Sequence, residues 1–280
     1  MKQLFITDLD GTFLTPQGVV SDESARIISQ LSSRGVPITV ATARTPATVE
    51  PLLSHTLTNL PAIVLTGAAL WDRKSHQYLN THFFPHRLAV SAWRCCLDHG
   101  IRPFIYMLGN DSTTLHTYFC GFPTPMEQEF INARTGSPFK QIHVTDRPVT
   151  PDSRTMLMFA IGSQSTITAA ASELRAMGCT VSAYPDTYTT NNFFIEIFAP
   201  GVSKASAVTQ LKNMLGAEKV TVFGDNLNDL PMMHAADTAV AVANALPEVR
   251  QQADVVIGPN TDNSVAHYIL EQTRQHIKAF

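Results

Sequence analysis

Short apolar segments alternate with helical patterns at the start of the chain, and this alternation strongly constrains the fold. LFIT at 4–7, VPITVA at 36–41 and AIVLTG at 62–67 are rich in β-branched residues and have the length of strands. Between them, Ser21 can cap one helix, and Thr45 with Pro46 can open another. Strands that alternate with helices predict a parallel sheet with helices on its faces.

The same alternation returns in the C-terminal third. Segments that predict strands and helix starts follow one another there: IEIF at 195–198, a helix after Ser203, KVTVFG at 219–224, a helix from about Leu230, TAVAV at 238–242, a helix after Pro247, DVVI at 254–257 and a helix from about Ser264. Residues 81–190 are richer in proline, histidine and aromatic residues. We therefore predict an α/β fold: a doubly wound, Rossmann-like core at 1–80 and 191–280, with an inserted α+β domain at 81–190.

Composition limits the partners. The net charge of the 280-residue chain is −3, without a Lys/Arg cluster, which argues against a nucleic-acid partner. Asp8 and Asp10 interrupt the first apolar run, so no signal peptide is predicted, and the uncharged stretch at 155–172 is too polar to span a membrane. The four cysteines are too irregularly spaced for a disulfide framework or a cysteine-based zinc site, which indicates reduced thiols in a cytoplasmic protein.

Polar residues follow the predicted strands at their carboxyl ends, where open parallel sheets bind ligands. The acids are accompanied by a hydroxyl, an amide and a lysine in the first turn of a predicted helix, and the set is Asp8, Asp10, Thr42, Lys204, Asp225, Asn228 and Asp229. We expect these groups to converge on one edge of the sheet.

Asp8 and Asp10 would face the same side of an extended chain, and like charges held that close repel. A hard divalent cation resolves this repulsion, so we predict Mg²⁺ held by Asp8, Asp225 and Asp229, the last directly or through water. Lys204 and Thr42 would then bind the oxygens of a phosphoryl group. The alternative for each motif alone is structural: a strand-end turn at DLDG, an Asx turn at GDNLND and a solvated lysine.

The combined motifs resemble those of the haloacid dehalogenase (HAD) superfamily, specifically its Cof-like phosphatases with a type IIB cap. The motifs that carry the resemblance are DLDGT at 8–12, ATAR at 41–44, GVSK at 201–204, GDNLND at 224–229 and VANA at 242–245. The inserted domain matches the family's cap in position and length only.

The resemblance implies a role for each site residue. Asp8 would be the nucleophile that forms an aspartyl-phosphate, and Asp10 the general acid and base. Mg²⁺ would be held by the Asp8 side chain, the Asp10 main-chain carbonyl and Asp225, with Asp229 in support. The groups expected to bind the phosphoryl group are Thr42, Lys204, Asn228 and the backbone at Leu9 and Ala43. The cap would close over the site and exclude bulk water.

Two departures from the family pattern concern the substrate side. Ala43 stands where the family usually has glycine. The methyl group of alanine can be tolerated there if the backbone φ is negative. Thr66 stands where asparagine is frequent. Neither change removes a catalytic group.

The predicted function is hydrolysis of a small phosphorylated metabolite, with a sugar phosphate as the expected substrate. One alternative is a phosphosugar mutase, which shares the aspartyl-phosphate. Another is a regulator that binds a phosphorylated ligand without turnover. The sequence leaves open whether the protein is a monomer or a homodimer.

Overall fold

The structure is a computed structural model that describes residues 3–185 and 192–277. The chain divides into two compact units, Met1–Ser75 with Ser203–Phe280 and His76–Val202. The first unit contains β1 Gln3–Thr7, α1 Asp22–Ser33, β2 Ile38–Val40, α2 Pro46–Leu52, β3 Ala62–Val64, β4 Ala69–Asp72, α6 Lys204–Leu215, β12 Lys219–Gly224, α7 Leu230–His234, β13 Thr238–Val242, α8 Pro247–Gln252, β14 Val255–Ile257 and α9 Ser264–Ile277. The second contains β5 Gln77–Leu79, α3 His86–Asp98, β6 Phe104–Leu108, β7 Leu115–Cys120, α4 Pro125–Asn132, β8 Lys140–Thr145, β9 Thr155–Gly162, α5 Gln164–Ala176, β10 Thr180–Pro185 and β11 Phe193–Phe198.

The first unit is built on a parallel sheet with the strand order β14-β13-β12-β1-β2. A parallel bridge between Ala41 and Ile63 sets β3 beside the end of β2, and β3 then pairs antiparallel with β4. Helix α1 packs against α9 and α6 against α7. This α/β architecture is the predicted fold class, and the central strands are buried and apolar, as is typical of a parallel sheet covered by helices.

Local signals in the sequence set the helix starts of this unit. The Ser21 hydroxyl accepts a hydrogen bond from the Ser24 amide at the start of α1. The Ser203 hydroxyl does the same for the Ser206 amide at the start of α6. Both caps satisfy amide groups that have no partner inside the helix, so both predicted starts are confirmed.

The strand order reverses beside β1. From β1 the chain continues to β2 on one side, whereas β12 lies on the other side and leads away to β13 and β14. The strands β1 and β12 therefore flank a topological switch point, where the diverging connections leave a crevice beyond the carboxyl ends of the strands. Register places Thr7 beside Phe223, so the residues after both strands lie at the same level.

The second unit is an α+β unit with a six-stranded sheet in the order β10-β11-β9-β6-β7-β8. All of its neighbouring strands are antiparallel except β7 and β8. Helices α3 and α5 pack on each other and on β9. The Phe130 ring of α4 stacks on Phe159 of β9 at a centroid distance of 4.7 Å. The role of this unit as a cap stays a prediction.

One strand lies in a different unit from the one predicted. The prediction assigned IEIF, within residues 191–280, to the core, but β11 pairs with β9 and β10 in the sheet of the second unit. The sequence pattern of a short apolar strand does not indicate which sheet the strand joins, because its pairing partners are set by tertiary structure. The final residues of the predicted insert, 186–190, lie outside the described residues.

In the part of the chain that the structure describes, no helix combines the length and apolar character needed to cross a membrane.

Candidate active site

Asp8 stands at the carboxyl end of β1, at the switch point of the sheet. Its amide donates to the Phe223 carbonyl of β12 at 3.0 Å, which extends the parallel ladder to this residue. Its side chain is buried between the neighbouring strand ends. The fold thus holds a carboxylate in the crevice where ligands of such sheets bind.

Lys204 links two of the buried acids. Its ammonium group donates to Asp8 Oδ1 at 2.5 Å and to Asp229 Oδ1 at 2.7 Å. Lys204 lies in the first turn of α6, and its side chain is only 1% exposed. A buried charge is retained when it is paired and hydrogen-bonded, so the two carboxylates fix the position of the ammonium group.

Asp225 and Asp229 are held by different groups. Both Asp229 oxygens are engaged, since Oδ1 accepts from Lys204 and Oδ2 accepts from the amides of Asp225 and Asn226 at 3.1 and 3.2 Å. Asp225 follows β12 and accepts a hydrogen bond from the Thr12 hydroxyl at 2.7 Å. Carboxylate oxygens of Asp8, Asp225 and Asp229 all lie within 4.8 Å of one another.

The charge balance of this cluster favours a bound cation. Burial raises the pKa of Asp8 to about 8. The Lys204 ammonium lowers this pKa, whereas the Asp229 and Asp225 carboxylates raise it further. Burial, together with neighbouring carboxylates, raises the pKa of Asp225 to about 6. Three clustered carboxylates thus outnumber the single ammonium, and their all-oxygen donor set suits a hard divalent ion. The residues present fit the predicted metal.

The carboxylate of Asp10 does not join this cluster. The Arg44 guanidinium donates to both of its oxygens, through Nε at 2.7 Å and Nη2 at 2.6 Å. The Asp10 side chain is 54% exposed, in contrast to buried Asp8. A two-point arginine pair orients a carboxylate, so Asp10 is held at the rim of the site.

Apart from Lys204, the expected phosphate-binding residues follow β1 and β2 or precede α7. The Thr42 hydroxyl is buried and accepts from the Arg44 amide at 3.1 Å, which leaves its own hydrogen for another acceptor. Ala43 has a negative φ, so its methyl group is accommodated without backbone strain. Leu9 is fully buried in the turn after Asp8, and Asn228 is exposed in the turn before α7.

Thr66 has an unusual conformation after β3. Its φ is +56°, a left-handed value that is an outlier for a β-branched residue. Its amide donates to the Thr42 carbonyl at 3.0 Å, and its buried hydroxyl has no hydrogen-bond partner among the described residues. Strain of this kind persists where surrounding structure enforces it, and it is common at functional sites.

Three residues that position the site were not singled out from the sequence. Thr12 holds Asp225, and Arg44 holds Asp10, although both belong to quoted motifs. Asn244 donates to the Gly11 carbonyl at 2.7 Å across 233 residues of chain. The amide side chain in VANA is the only signal for this last contact, because its partner lies at the opposite end of the sequence.

Comparison with known proteins identifies the family to which this chain belongs. A family model described as haloacid dehalogenase-like hydrolase matches residues 5–269. Pyridoxal phosphate phosphatase YbhA of Escherichia coli is 24% identical, covering 94% of this chain and 95% of its own. The 5-amino-6-(5-phospho-D-ribitylamino)uracil phosphatase YcsE of Bacillus subtilis is 26% identical, with 96% of each chain covered. The HAD subclass IIB sugar phosphatase BT4131 has a similar structure, with a TM-score of 0.73, 17% identity and coverage of 97% of this chain and 98% of its own.

The chain belongs to the haloacid dehalogenase-like hydrolases. Within that family it is an enzyme of the phosphatase type, as the motifs predicted.

Proposed function

We propose that the chain is a Mg²⁺-dependent phosphatase that hydrolyses a small phosphorylated metabolite, a sugar phosphate, through an aspartyl-phosphate on Asp8. The observation that carries this proposal is the buried Asp8 carboxylate, bonded to Lys204 and set within 4.8 Å of carboxylate oxygens of Asp225 and Asp229. A nucleophile, a fixed cation and a set of metal ligands in one crevice are the parts that phosphoryl transfer requires.

In the first step, Lys204, Asp8 and Asp10 have different roles. Lys204 holds Asp8 Oδ1, which leaves the second oxygen to attack phosphorus in line with the leaving group. The new bond joins that oxygen to phosphorus while the bond from phosphorus to the alkoxide breaks, and Asp10 protonates the alkoxide. To do so, Asp10 must first give up its two hydrogen bonds to Arg44 and take up a proton from solvent, because a carboxylate that accepts through both oxygens carries none.

In the second step, Asp10 accepts a proton from a water molecule that attacks phosphorus. The bond from Asp8 to phosphorus then breaks, and phosphate is released. Thr42, Lys204, Asn228 and the main-chain amides near Leu9 and Ala43 would bind the phosphoryl oxygens. Each donor offsets negative charge that the neighbouring carboxylates would otherwise repel.

Mg²⁺ bound by the side chains of Asp8 and Asp225 and the main-chain carbonyl of Asp10 would neutralise charge on the transferring phosphoryl group. Asp229 supports this arrangement by fixing Lys204, because both of its oxygens already have partners.

The substrate class and the compartment are part of the same proposal. The relatives named above act on different phosphorylated metabolites, and the structurally similar BT4131 is a sugar phosphatase. The proposed compartment is the cytoplasm. All four cysteines are free thiols, and the cytoplasm keeps thiols reduced.

The nucleophile is tested by replacing Asp8. We expect Asp8→Asn to lower turnover of an aryl phosphate with Mg²⁺ by more than about 10³-fold, because an amide cannot form the intermediate. Asp22→Asn, which changes an exposed acid of α1, should keep the parental rate. Full activity in Asp8→Asn would contradict the assignment.

The substrate class is tested by screening phosphorylated metabolites for phosphate release with and without Mg²⁺. Sugar phosphates should give the highest kcat/KM, and release should depend on the metal. Transfer of the phosphoryl group to a second sugar when a bisphosphate is added would instead identify a mutase.

A further inference from the structure

Three side chains of different chemistry meet between two helices of the second unit. Cys95 and His99 are four residues apart at the C-terminal end of α3, so their side chains share one helix face. Glu173 belongs to α5, which packs against α3. A sulfur, a nitrogen and an oxygen atom from these three residues all lie within 4.8 Å of one another.

Two of the three groups are already joined by a hydrogen bond. His99 Nε2 lies 2.9 Å from Glu173 Oε2, and the Cys95 sulfur lies within 4.8 Å of both residues' donor atoms. Metal ions bind cysteine and histidine in their deprotonated forms by displacing their protons, and the three donor atoms here already converge.

We propose that Cys95, His99 and Glu173 form a zinc-binding site that joins α3 to α5. Thiolate sulfur and imidazole nitrogen favour Zn²⁺ over Mg²⁺, and a carboxylate is a common third ligand. Bond lengths of about 2.3 Å to sulfur and about 2.0–2.1 Å to nitrogen or oxygen set neighbouring donors of a tetrahedral ion about 3.3–3.7 Å apart. The donor atoms already lie within 4.8 Å of one another, so their present spacing is within about 1.5 Å of that required.

Burial at the site shows where the ion would sit. Cys95 is 2% exposed and forms the inner side, whereas the Glu173 side chain is 52% exposed and forms the outer side. The fourth position would face solvent and hold water. Such a site differs in donor chemistry from the acidic cluster of the first unit, which offers oxygen only.

Two other buried thiols, Cys96 and Cys179, lie near Cys95, and Cys179 serves as a control. Neither belongs to the cluster whose donor atoms converge among the described residues. Cys120 lies on β7, apart from all three.

The proposal is tested by adding Co²⁺ to the full chain after chelator treatment, with excess Mg²⁺ present. Thiolate ligation produces a sulfur-to-cobalt charge-transfer band in the near ultraviolet, which an all-oxygen site cannot produce. We expect this band to saturate at one Co²⁺ per chain and to disappear when Zn²⁺ is added. Absence of the band at excess Co²⁺ would overturn the proposal.

Variants then identify the ligands. Cys95→Ser should abolish the band, and His99→Gln and Glu173→Gln should weaken Co²⁺ binding at least about tenfold, whereas Cys120→Ser and Cys179→Ser should leave it unchanged. His99 and Glu173 are partly exposed, so their variants test the site even if Cys95→Ser folds poorly. A band that survives Cys95→Ser, or one that is lost in Cys179→Ser, would also refute the site. Phosphatase activity is not a readout here, so the outcome is independent of the proposed function.

Discussion

At the scale of single residues, Gly11 shows how the active site depends on the absence of a side chain. Its φ is +81°, which glycine adopts without cost. A Cβ atom at this position would lie 2.3 Å from Asp225 Oδ2, closer than atoms can approach. Both constraints apply at once, because the turn after Asp8 must pass directly over the carboxylate of Asp225.

We predict that Gly11→Ala lowers kcat/KM by about 10²-fold, since a displaced Asp225 cannot keep its position in the site. The control is Gly35→Ala, where φ is +85° and a Cβ atom would meet nothing within 4 Å. That variant places alanine at a similar φ outside the site and without a clash, so steady-state kinetics of the two variants separate a local effect on the site from a general loss of stability. Equal losses in both would show that displacement of Asp225 is not the reason.

At the scale of elements, strand β8 carries a buried lysine on a face shared with aromatic residues. Lys140 is 3% exposed, and its ammonium group lies 3.2 Å from the Tyr106 hydroxyl of β6. The same group lies 4.4 Å from the centre of the Tyr106 ring, a cation–π contact that offsets part of the burial cost. Burial and the nearby Arg134 guanidinium lower the pKa of Lys140 to about 7.

This lowered pKa makes the stability of the protein depend on pH. Between pH 7 and the ordinary lysine value of 10.5, the unfolded chain holds a proton that the folded chain has released. The free energy of unfolding therefore rises with pH through this window, and the burial cost is fully present below pH 7. The direction is opposite to that of a lysine that gains a carboxylate partner.

We predict that Lys140→Met raises the free energy of unfolding by about 1–3 kcal/mol at pH 6.5, with a smaller gain at pH 9.5. Urea unfolding at the two pH values measures both gains. Lys74→Met, which replaces an exposed lysine, should show no such dependence on pH. A gain that is the same at both pH values would rule out the titration of Lys140 as its cause.

At the scale of the whole molecule, the acidic cluster joins segments from both ends of the chain. Asp8 comes from β1, whereas Lys204, Asp225 and Asp229 lie about 200 residues later, after the second unit. A cation bound there would tie together the two parts of the first unit. Stability of that unit should therefore depend on the metal more than stability of the second unit.

We predict that Mg²⁺ at 100 times its dissociation constant stabilises the protein by about 2.7 kcal/mol relative to the chelator-treated form. Hydrogen exchange should show the added protection at β1 and β12 rather than in the sheet of the second unit. Asp225→Asn should lose this effect, yet be at least as stable as the parent without metal, since it removes one of the repelling carboxylates. Equal protection of both units would argue against a metal site at the acidic cluster.

The order of strands and helices in the first unit could be predicted from the sequence because its signals are local. The serine caps, Pro46 at the start of α2 and the β-branched segments act over a few residues, and the parallel sheet then brings the strand ends together. Helix α2 begins at Pro46 as predicted, but the Thr45 side chain makes no capping hydrogen bond to a described residue. Local signals therefore predict that Asp8, Lys204, Asp225 and Asp229 lie at one edge of the sheet, and in the structure these side chains are close together.

Tertiary structure alone decided the contacts made at long range. The sheet that β11 joins, the Arg44 partner of Asp10 and the meeting of Cys95 and His99 with Glu173 all depend on how distant elements pack. A short strand, an arginine or a cysteine reads the same in the sequence whichever partner it finds. Their partners follow from the packing of whole sheets and helices, and for this reason the sequence determined the elements while the fold determined their pairing.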